Sequence, residues 1–477
     1  MLASWTESIG TRQLSSCAHG VVSSALVWRK RGVMRKFRFL VVLFAAAVAC
    51  MAQAKKPLVV VVSVDGMRPD YVTYAEEHKL ELPFLLGMMH NGVYAHGVTG
   101  VLPTYTYPSH TTLVTGVWPA KHGVLNNRPF DPLGKDPSAW WWSFSTIKVP
   151  TLWQAAHDAG VKTAAVNWPV TQGAPIDYNI PEFWNPSPQD DGSTLENAST
   201  PAGMLKDLEK TLGRYPSKVV DVANDHKRVA FAVAILNQYH PGLLAVHLAG
   251  LDTAQHDHGP FSEAANAAVQ EEDKLLKEIY DAAYAQDKNV VFSVLSDHGF
   301  EPVNYYVSLK RAFVDAGLIA VDAKGNVTSW KAMPWVSGGT AAIMLNEPND
   351  AETKQAVLAL LRKLAIDPAN GIGHIYNHDE TAAMGGYPDA AFLVAMRPGW
   401  QAIAELKPEV ATGVGNLGAH GYLASDPALR SAFFIMGPGL KPGKDLGLID
   451  MRQIAPTLAG VLGAQLPTAD GKAIDLK

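Results

Sequence analysis

With 477 residues, the chain is long enough for one large domain with an insertion, or for two or three ordinary domains. Its 48% hydrophobic and 18% charged residues are typical of a well-buried globular protein and exclude an intrinsically disordered one. The formal net charge is −5, and lysine and arginine form no stripe along the sequence, which argues against a nucleic-acid groove.

The first 54 residues differ in composition from the rest and predict a leader. Met34 begins the stretch MRKFRFLVVLFAAAVACMAQA, in which basic residues precede an apolar run that ends in an A-x-A cleavage site. This pattern predicts a signal peptide cleaved after Ala54, with Met34 as the true start and a periplasmic or secreted mature protein. The apolar run is too short for a comfortable membrane span. The alternative is a lipoprotein modified at Cys50, but Ala47 stands where a lipobox prefers leucine.

Cleavage of this leader would change both the charge and the cysteine content. The leader holds seven basic residues and one acidic residue, so the other 423 residues carry 33 basic and 44 acidic ones, a net charge of about −11. Cys17 and Cys50 also lie in the leader. The mature chain is therefore expected to need no disulfide, and any metal site in it must use histidine and carboxylate ligands.

Apolar, β-branched runs with helical stretches between most of them predict an α/β fold with a mostly parallel central sheet sandwiched by helices. The five predicted strands lie at 58–66, 162–169, 243–252, 289–299 and 431–439. Helices are predicted around 149–160 and at 263–286. Residues 305–408 carry mixed signals and predict an inserted α+β subdomain, with 55–304 and 409–477 forming the core.

Acidic and histidine residues follow three of the five predicted strands. These residues are Asp65, then Asp252 with His256, then Asp297 with His298. Ligands of open α/β sheets bind beyond the carboxyl ends of the strands, so these five side chains are expected to lie together at one rim of the sheet. A single aspartate after a strand is more often a turn former, but imidazole and carboxylate together predict a metal site. Zinc is the leading candidate, with manganese or iron as alternatives.

The stretch LPTYTYPSHTTLVTG, at residues 102–116, is rich in hydroxyl groups and almost free of charge. Serine and threonine favour turns and helix N-caps, so the stretch by itself favours a plain strand-to-helix connection. The other interpretation is that one threonine is a nucleophile, placed where a loop meets the N-terminus of a helix.

Six separated motifs decide between these interpretations, because together they resemble one family. The motifs are VSVDGMRPDY, PTYTYPSHTTLVTGVWPAKHGVLNN, GLDTAQHDHGP, VLSDHGF, GNLGAHGYLASDPALRSAFFIMGPGLK and IAPTLAGVLGAQLP. In this order and spacing they resemble the type I phosphodiesterases/nucleotide pyrophosphatases of the alkaline phosphatase superfamily. The resemblance covers nearly the whole chain after the leader.

The resemblance implies an alkaline phosphatase-like fold with two divalent metal ions per chain, ~4 Å apart. By position, one ion would be held by Asp252, His256 and His420. The other would be held by Asp65, Asp297 and His298, with the hydroxyl of Thr106 as its nucleophilic ligand. Asn127 matches a family asparagine that donates to a phosphoryl oxygen. The neighbouring serine, threonine and proline residues are then expected to shape the turn and cap the helix. The family often has asparagine where this chain has Ser109.

The function that the resemblance implies is a secreted two-metal phosphodiesterase that acts on a small, nucleotide-like phosphate diester through a covalent phospho-threonine intermediate. The alternative is a phosphomonoesterase on the same fold. Monoesterases of this superfamily place a Lys-x-Arg pair after a strand, where this chain has Asn167, Trp168 and Pro169. Trp168 and Pro169 are expected to offer an apolar face to the second ester group. A sulfatase is disfavoured, because Thr106 cannot become formylglycine. The sequence does not indicate an oligomeric state.

Other histidines and aromatic residues admit two interpretations each. His110 and His122 are expected to be structural hydrogen-bonding residues, and His247 a satisfied core residue. His258 fits the surroundings of the metals and the plain surface equally well. Aromatic residues cluster at 140–142, 168 and 178–184. Core packing or a lid is the simpler explanation for that cluster, and a stacking wall for a flat substrate group is the functional one.

Overall fold

The computed structural model describes residues 56–136, 138–183, 192–216 and 221–477. The predicted signal peptide, the start at Met34 and the alternative lipid site at Cys50 lie outside these residues, as does Trp184 of the aromatic cluster. Within the described ranges, no helix combines the length and the apolar character needed to cross a bilayer.

Nineteen strands are present in the described residues. In chain order they are β1 (Val59–Val64), β2 (Val93–Tyr94), β3 (Gly97–Thr99), β4 (Thr163–Val166), β5 (Tyr178–Ile180), β6 (Leu243–Leu248), β7 (Val291–Leu295), β8 (Glu301–Val307), β9 (Ile319–Val321), β10 (Val327–Trp330), β11 (Ala332–Ser337), β12 (Thr340–Leu345), β13 (Ile372–Asn377), β14 (Phe392–Met396), β15 (Gly399–Ala402), β16 (Ala411–Ala419), β17 (Phe433–Met436), β18 (Lys444–Asp445) and β19 (Leu448–Asp450).

Fourteen α-helices accompany them in the same part of the chain. They are α1 (Asp70–Thr73), α2 (Pro83–Asn91), α3 (Thr106–Thr115), α4 (Pro119–His122), α5 (Leu152–Asp158), α6 (Ser193–Ala198), α7 (Met204–Leu212), α8 (Val222–Tyr239), α9 (Gly250–His258), α10 (Glu263–Gln286), α11 (Leu309–Asp315), α12 (Ala351–Ile366), α13 (His378–Ala383) and α14 (Ile454–Val461).

An eight-stranded sheet forms the centre of the fold, in the order β18-β2-β17-β7-β1-β6-β4-β5. All five strands predicted from the sequence lie in it. The run from β7 to β5 is parallel, and β17 pairs with β7 in the antiparallel sense. The prediction of a mostly parallel central sheet is thus confirmed.

Helices cover both faces of this sheet because β1 is apolar on both. Every residue of β1 is buried, and its side chains alternate between two hydrophobic clusters. Val60 and Val62 belong to the cluster that includes side chains of α8 and α10. Val59 and Val61 belong to the cluster that includes side chains of α3, α5 and α14. The helices predicted around 149–160 and at 263–286 are α5 and α10.

Residues 305–408, predicted to form an inserted subdomain, carry two further sheets of their own. One has the order β11-β12-β14-β13, and the other is the β9–β10 pair. A third sheet, β15-β8-β16, crosses the predicted bounds, since β8 starts at Glu301 and β16 ends at Ala419. A separate hydrophobic cluster, which includes Phe313, Ile343 and Val394, packs these elements together. The domain bounds themselves stay a prediction.

Candidate active site

Three of the predicted ligands lie just beyond the carboxyl ends of adjacent parallel strands. Asp65 directly follows β1, and Asp297 comes two residues after the end of β7. Asp252 lies in the first turn of α9, the helix that follows β6. Because β7, β1 and β6 are neighbours in the sheet, their ends form one rim, as the sequence predicts.

Two overlapping groups of ligand atoms form at this rim. The first consists of Asp252, His298 and His420, and the second of Asp65, Asp297 and His298. Within each group, the candidate ligand atoms lie within 4.8 Å of one another. His298 belongs to both groups, and its ring stacks on that of His420 at a centroid separation of 3.7 Å. The second group contains the residues expected from the sequence, whereas in the first His298 stands where His256 is expected.

His256 lies beside these groups rather than within them. Its Nδ1 is 3.0 Å from the carbonyl oxygen of Gly418, and its Nε2 is 3.5 Å from Oδ2 of Asp252. Nδ1 can therefore donate to the carbonyl, which leaves Nε2 facing Asp252 as the nitrogen that could bind a metal.

Unpartnered carboxylate oxygens show that the residues present fit a cation. Asp65 Oδ1, Asp252 Oδ1 and Asp297 Oδ2 are buried atoms without a hydrogen-bond partner among the described residues. A buried carboxylate oxygen without a donor is costly, and three at one rim concentrate negative charge. A divalent ion held by carboxylate and imidazole would satisfy all three.

The electrostatics of the site agree with this interpretation. Burial, and after it the charges of Asp297 and Asp252, raises the pKa of Asp65 well above its ordinary value. Burial raises the pKa of Asp297 to about 7. Burial and the neighbouring imidazoles lower the pKa values of His298 and His420 well below the usual range. These histidines are therefore neutral, which is the form that binds metal.

Thr106 is the first residue of α3 and is 9% exposed. Its Oγ1 lies 3.4 Å from Nε2 of His298, the histidine shared by both groups. The expectation that neighbouring serine and threonine side chains cap this helix is wrong. The N-cap residue is Tyr105, which makes no side-chain capping bond, and the hydroxyl of Ser109 is buried without a hydrogen-bond partner in the described structure.

Asn127 caps this helix from a distance. Its Oδ1 accepts a hydrogen bond from the backbone N–H of Tyr107 at 2.9 Å, which satisfies one of the free donors of the first turn. The backbone of Asn127 is held in turn by Oδ1 of Asn126 at 2.7 Å. Because Oδ1 is used by the helix, Nδ2 is the atom that Asn127 can offer to a ligand beside Thr106.

The inserted region holds the backbone at His420. The N–H of Gly339 donates to the carbonyl oxygen of His420 at 2.9 Å. Gly421, at φ +83°, packs so close to Ser337 that a Cβ atom there would overlap the Ser337 carbonyl oxygen. Nδ1 of His420 is 3.1 Å from the carbonyl oxygen of Thr104, which leaves Nε2 for the site. The candidate ligand His420 is thus fixed between the predicted insert and the segment that leads into α3.

Asp225 supports α9, the helix that carries the candidate ligands Asp252 and His256, and has no counterpart in the sequence predictions. Its Oδ2 accepts from the backbone N–H groups of Ala249 and Gly250 at 3.0 and 2.6 Å, at the start of α9. Its Oδ1 pairs with Arg228 at 2.5 Å, and both residues are buried. The sequence signal was faint, since Asp225 sits inside an ordinary helical stretch.

Replacement of Asp225 by alanine is expected to lower the free energy of unfolding by about 3–5 kcal/mol, because it removes the carboxylate that pairs with buried Arg228 and accepts hydrogen bonds from two helix N–H groups. Urea unfolding followed by circular dichroism measures this loss. The matched control is Asp207→Ala, which removes one partner of an exposed Asp–Lys pair and should leave the unfolding midpoint unchanged. Equal stability of the two variants would contradict the role given to Asp225.

The remaining histidines divide into buried and exposed ones. His110 hydrogen-bonds with the carbonyl oxygen of Thr106 and with Ser63 Oγ, each at 2.9 Å, as expected of a structural residue. His122 bonds with Thr112 and with the N–H of Val124. His258 is exposed on α9. His247 is buried as predicted, but it also contacts the metal-ligand candidate Asp65, which the sequence analysis missed.

Trp168 corrects one sequence prediction. It was expected to offer an apolar face to a substrate, but it is 1% exposed and packs edge-on against His110 and Trp153. Tyr178 stacks on Tyr239, and Trp142 packs against Phe183. Within the described part of the cluster only Trp168 is fully buried, whereas the other five aromatic side chains are partly buried and pack against hydrophobic clusters.

A cavity of about 810 Å³ opens beside Asn127 and is lined by both the core and the insert. Its wall includes Tyr105, Asn127, Arg128, Trp140, Lys310 and Trp335. The guanidinium of Arg128 lies 5.0 Å from the centre of the Trp140 ring. Trp140 is thus the one member of the tryptophan triplet 140–142 that lines this cavity.

Comparison with known proteins identifies similar sequences and folds. A sequence model described as type I phosphodiesterase/nucleotide pyrophosphatase matches residues 59–423. An uncharacterized pyrophosphatase/phosphodiesterase of Schizosaccharomyces pombe is 23% identical, over 97% of this chain and 87% of its own length. Mouse ectonucleotide pyrophosphatase/phosphodiesterase family member 1 is 26% identical over 57% of this chain, which spans only 27% of that longer relative.

Solved structures show the same fold. Murine ectonucleotide pyrophosphatase/phosphodiesterase 5, described as an inactive threonine-to-alanine variant in complex with AMP, superposes with a TM-score of 0.62. The match has 20% sequence identity and covers 87% of this chain and 98% of the murine chain. The human protein of the same name gives a TM-score of 0.61 at 19% identity.

Proposed function

The chain belongs to the type I phosphodiesterase/nucleotide pyrophosphatase family of hydrolases, and on that premise we propose that it cleaves phosphate diesters through a covalent phospho-threonine intermediate at Thr106. The observation that carries this proposal is the position of the Thr106 hydroxyl. It lies at the start of α3 and 3.4 Å from His298, the residue shared by both groups of candidate ligands. The alternative, a phosphomonoesterase, shares this machinery and differs in substrate.

The proposed metal ligands are the two triads expected from the sequence. Asp252, His256 and His420 would hold one divalent ion, and Asp65, Asp297 and His298 the other. Zinc is the leading candidate because the donors are imidazole and carboxylate. When bound, such ions lower the pKa of a coordinated hydroxyl and neutralise charge on phosphoryl oxygens.

The protein side chains would then act in a fixed order. Thr106 Oγ1 passes its proton to solvent and attacks phosphorus, and the bond from phosphorus to the leaving oxygen breaks as the new bond forms. The leaving oxygen takes up a proton from solvent. Nδ2 of Asn127 donates to a non-bridging oxygen, since its Oδ1 is occupied by the helix. The N-terminus of α3 adds a favourable dipole for the same anionic group. Water then cleaves the phospho-threonine and regenerates the hydroxyl.

The cavity beside Asn127 is the proposed place for one ester group of the substrate. Aromatic rings line it together with three basic and three acidic side chains, which suits a flat group with polar substituents. The AMP bound to the murine relative supports a nucleotide-like substrate for this chain too. Hydrolysis outside the cytoplasm is part of the proposal and is supported by the signal-peptide pattern at residues 34–54.

Aryl or nucleotide diesters are expected to exceed the matching monoester by at least about a hundredfold in kcat/KM, roughly 3 kcal/mol of transition-state stabilisation. A monoester dianion carries one more negative charge, yet residues 167–169 supply no cation, and the Asn167 side chain donates to the carbonyl oxygen of His247. The measurement compares a nitrophenyl nucleotide diester, a bis-aryl diester and nitrophenyl phosphate.

Thr106→Ala serves as the control for contaminating phosphatases in all three assays, because any activity that survives in it comes from another enzyme. Equal or faster hydrolysis of the monoester by the unmodified protein would favour the phosphomonoesterase alternative.

A further inference from the structure

His247 contacts the candidate metal ligand Asp65 from beneath the site. It lies on β6 in register with Ser63 of β1, two residues before Asp65, and is 1% exposed. Its Nε2 is 3.0 Å from Oδ2 of Asp65. Its Nδ1 hydrogen-bonds with the carbonyl oxygen of Asn167 at 3.1 Å and makes a longer ion-pair contact, of 3.4 Å, with Oε2 of Glu182.

Every polar partner of the His247 ring is a carbonyl or carboxylate oxygen, the usual acceptors of an imidazole N–H. The ring is therefore a donor toward both sides, and its orientation is fixed from both. Asn167 reinforces this arrangement, because its side chain donates to the carbonyl oxygen of His247 at 3.3 Å. Asn167 adopts a left-handed backbone at φ 59°, which brings its own carbonyl to the ring.

The contact distinguishes the two oxygens of Asp65. Oδ2 accepts from His247, whereas Oδ1 lies 3.4 Å from Nε2 of His298 and has no hydrogen-bond partner in the described residues. A carboxylate held by one oxygen can rotate only at the cost of that bond. The other oxygen is then presented to the centre of the site before any ion arrives.

The geometry points to His247 as a positioning residue for Asp65, with Glu182 acting through His247 to hold the ring. This inference rests on the proposed function, since it makes His247 and Glu182 supports of Asp65, a proposed metal ligand. Removal of the contact should weaken the ion at the Asp65, Asp297 and His298 triad and leave the other triad close to normal. A ring that merely fills space would give no such difference between the two ions.

The first test measures zinc affinity in His247→Leu and His247→Gln by competition with a chromogenic chelator. Loss of an outer hydrogen bond to a metal ligand typically costs about 10–100-fold in affinity, so the leucine variant should lose that much at one of two sites. The glutamine variant keeps an N–H donor and should recover most of the loss. If the leucine and glutamine variants bind zinc with equal affinity, the inference is overturned.

His122→Leu is the matched control. His122 is also a fully buried histidine, but its partners are Thr112 and the backbone of Val124, and neither is a candidate ligand. Its replacement should lower the melting temperature without changing zinc affinity. A loss of affinity as large as that of His247→Leu would show that burial alone explains the effect, which would overturn the inference.

Glu182→Gln tests the outer half of the pair and remains informative if His247→Leu fails to fold. It should weaken the same ion by less than His247→Leu does. In the double variant of His247→Leu and Glu182→Gln, the two losses should not add, because Glu182 acts through the ring that has been removed. Additive losses would assign Glu182 an independent role and contradict the inference. Failure of the unmodified protein to bind two ions would instead contradict the proposed function. Failure of the inference and failure of the proposed function are therefore distinguishable.

Discussion

Thr106→Ala is expected to lower kcat by at least about a thousandfold, because loss of a covalent nucleophile typically costs several orders of magnitude. The substitution removes a hydroxyl at the start of α3 and no charged ligand, so folding and metal content should change little. Steady-state hydrolysis of a nitrophenyl nucleotide diester measures the loss, with circular dichroism and elemental analysis on the same sample.

Two further variants make the result specific to the nucleophile. Thr106→Ser keeps a hydroxyl and should retain measurable turnover. Thr115→Ala removes a hydroxyl from the other end of the same helix, where it donates to the carbonyl oxygen of Thr111, and should leave kcat within a fewfold of normal. Activity of Thr106→Ala within about tenfold of the unmodified protein would count against Thr106 as the nucleophile.

Removal of divalent ions by a chelator is expected to abolish hydrolysis, and zinc is expected to restore it. The physical reason is the set of unpartnered carboxylate oxygens at the rim, together with neutral His298 and His420. Active protein should contain close to two metal ions per chain by elemental analysis, and full activity without bound metal would refute the mechanism.

A pair of variants on α9 ties this result to the ligands. Asp252→Asn should cost one of the two ions, whereas Asp257→Asn changes an exposed aspartate of the same helix and should keep both. If both variants retain the same metal content, Asp252 is not a ligand.

The fold was largely predictable because it rests on long apolar runs. Strands such as β1, with six consecutive buried residues, have a signature that polar loops cannot imitate. The rim was predictable for a related reason, since parallel neighbours must end at the same edge of the sheet, which brings together the residues that follow them. His420 and Thr106 depended on the family resemblance, because no local pattern relates them to the strand ends.

Features that depend on distant packing could not be predicted. Trp168 resembles a substrate-facing residue in sequence, yet it packs into the core beside Trp153. The cap of α3 comes from Asn127, on a loop beyond the helix, rather than from its own serines and threonines. A weak signal for His247 did exist. A histidine in an otherwise apolar strand, in register with Ser63, places two polar side chains in the same row of the sheet.

The hydrogen bond between Gly339 of the predicted insert and His420 has a consequence for biosynthesis. Asp65 is synthesised early and His420 late, so the two proposed triads cannot both be complete until almost the entire chain has left the ribosome. The Gly339 contact to the His420 carbonyl further requires that the insert has folded. A chain exported in an unfolded state would therefore acquire its ions at its destination, and the metal supply there would set the yield of active enzyme.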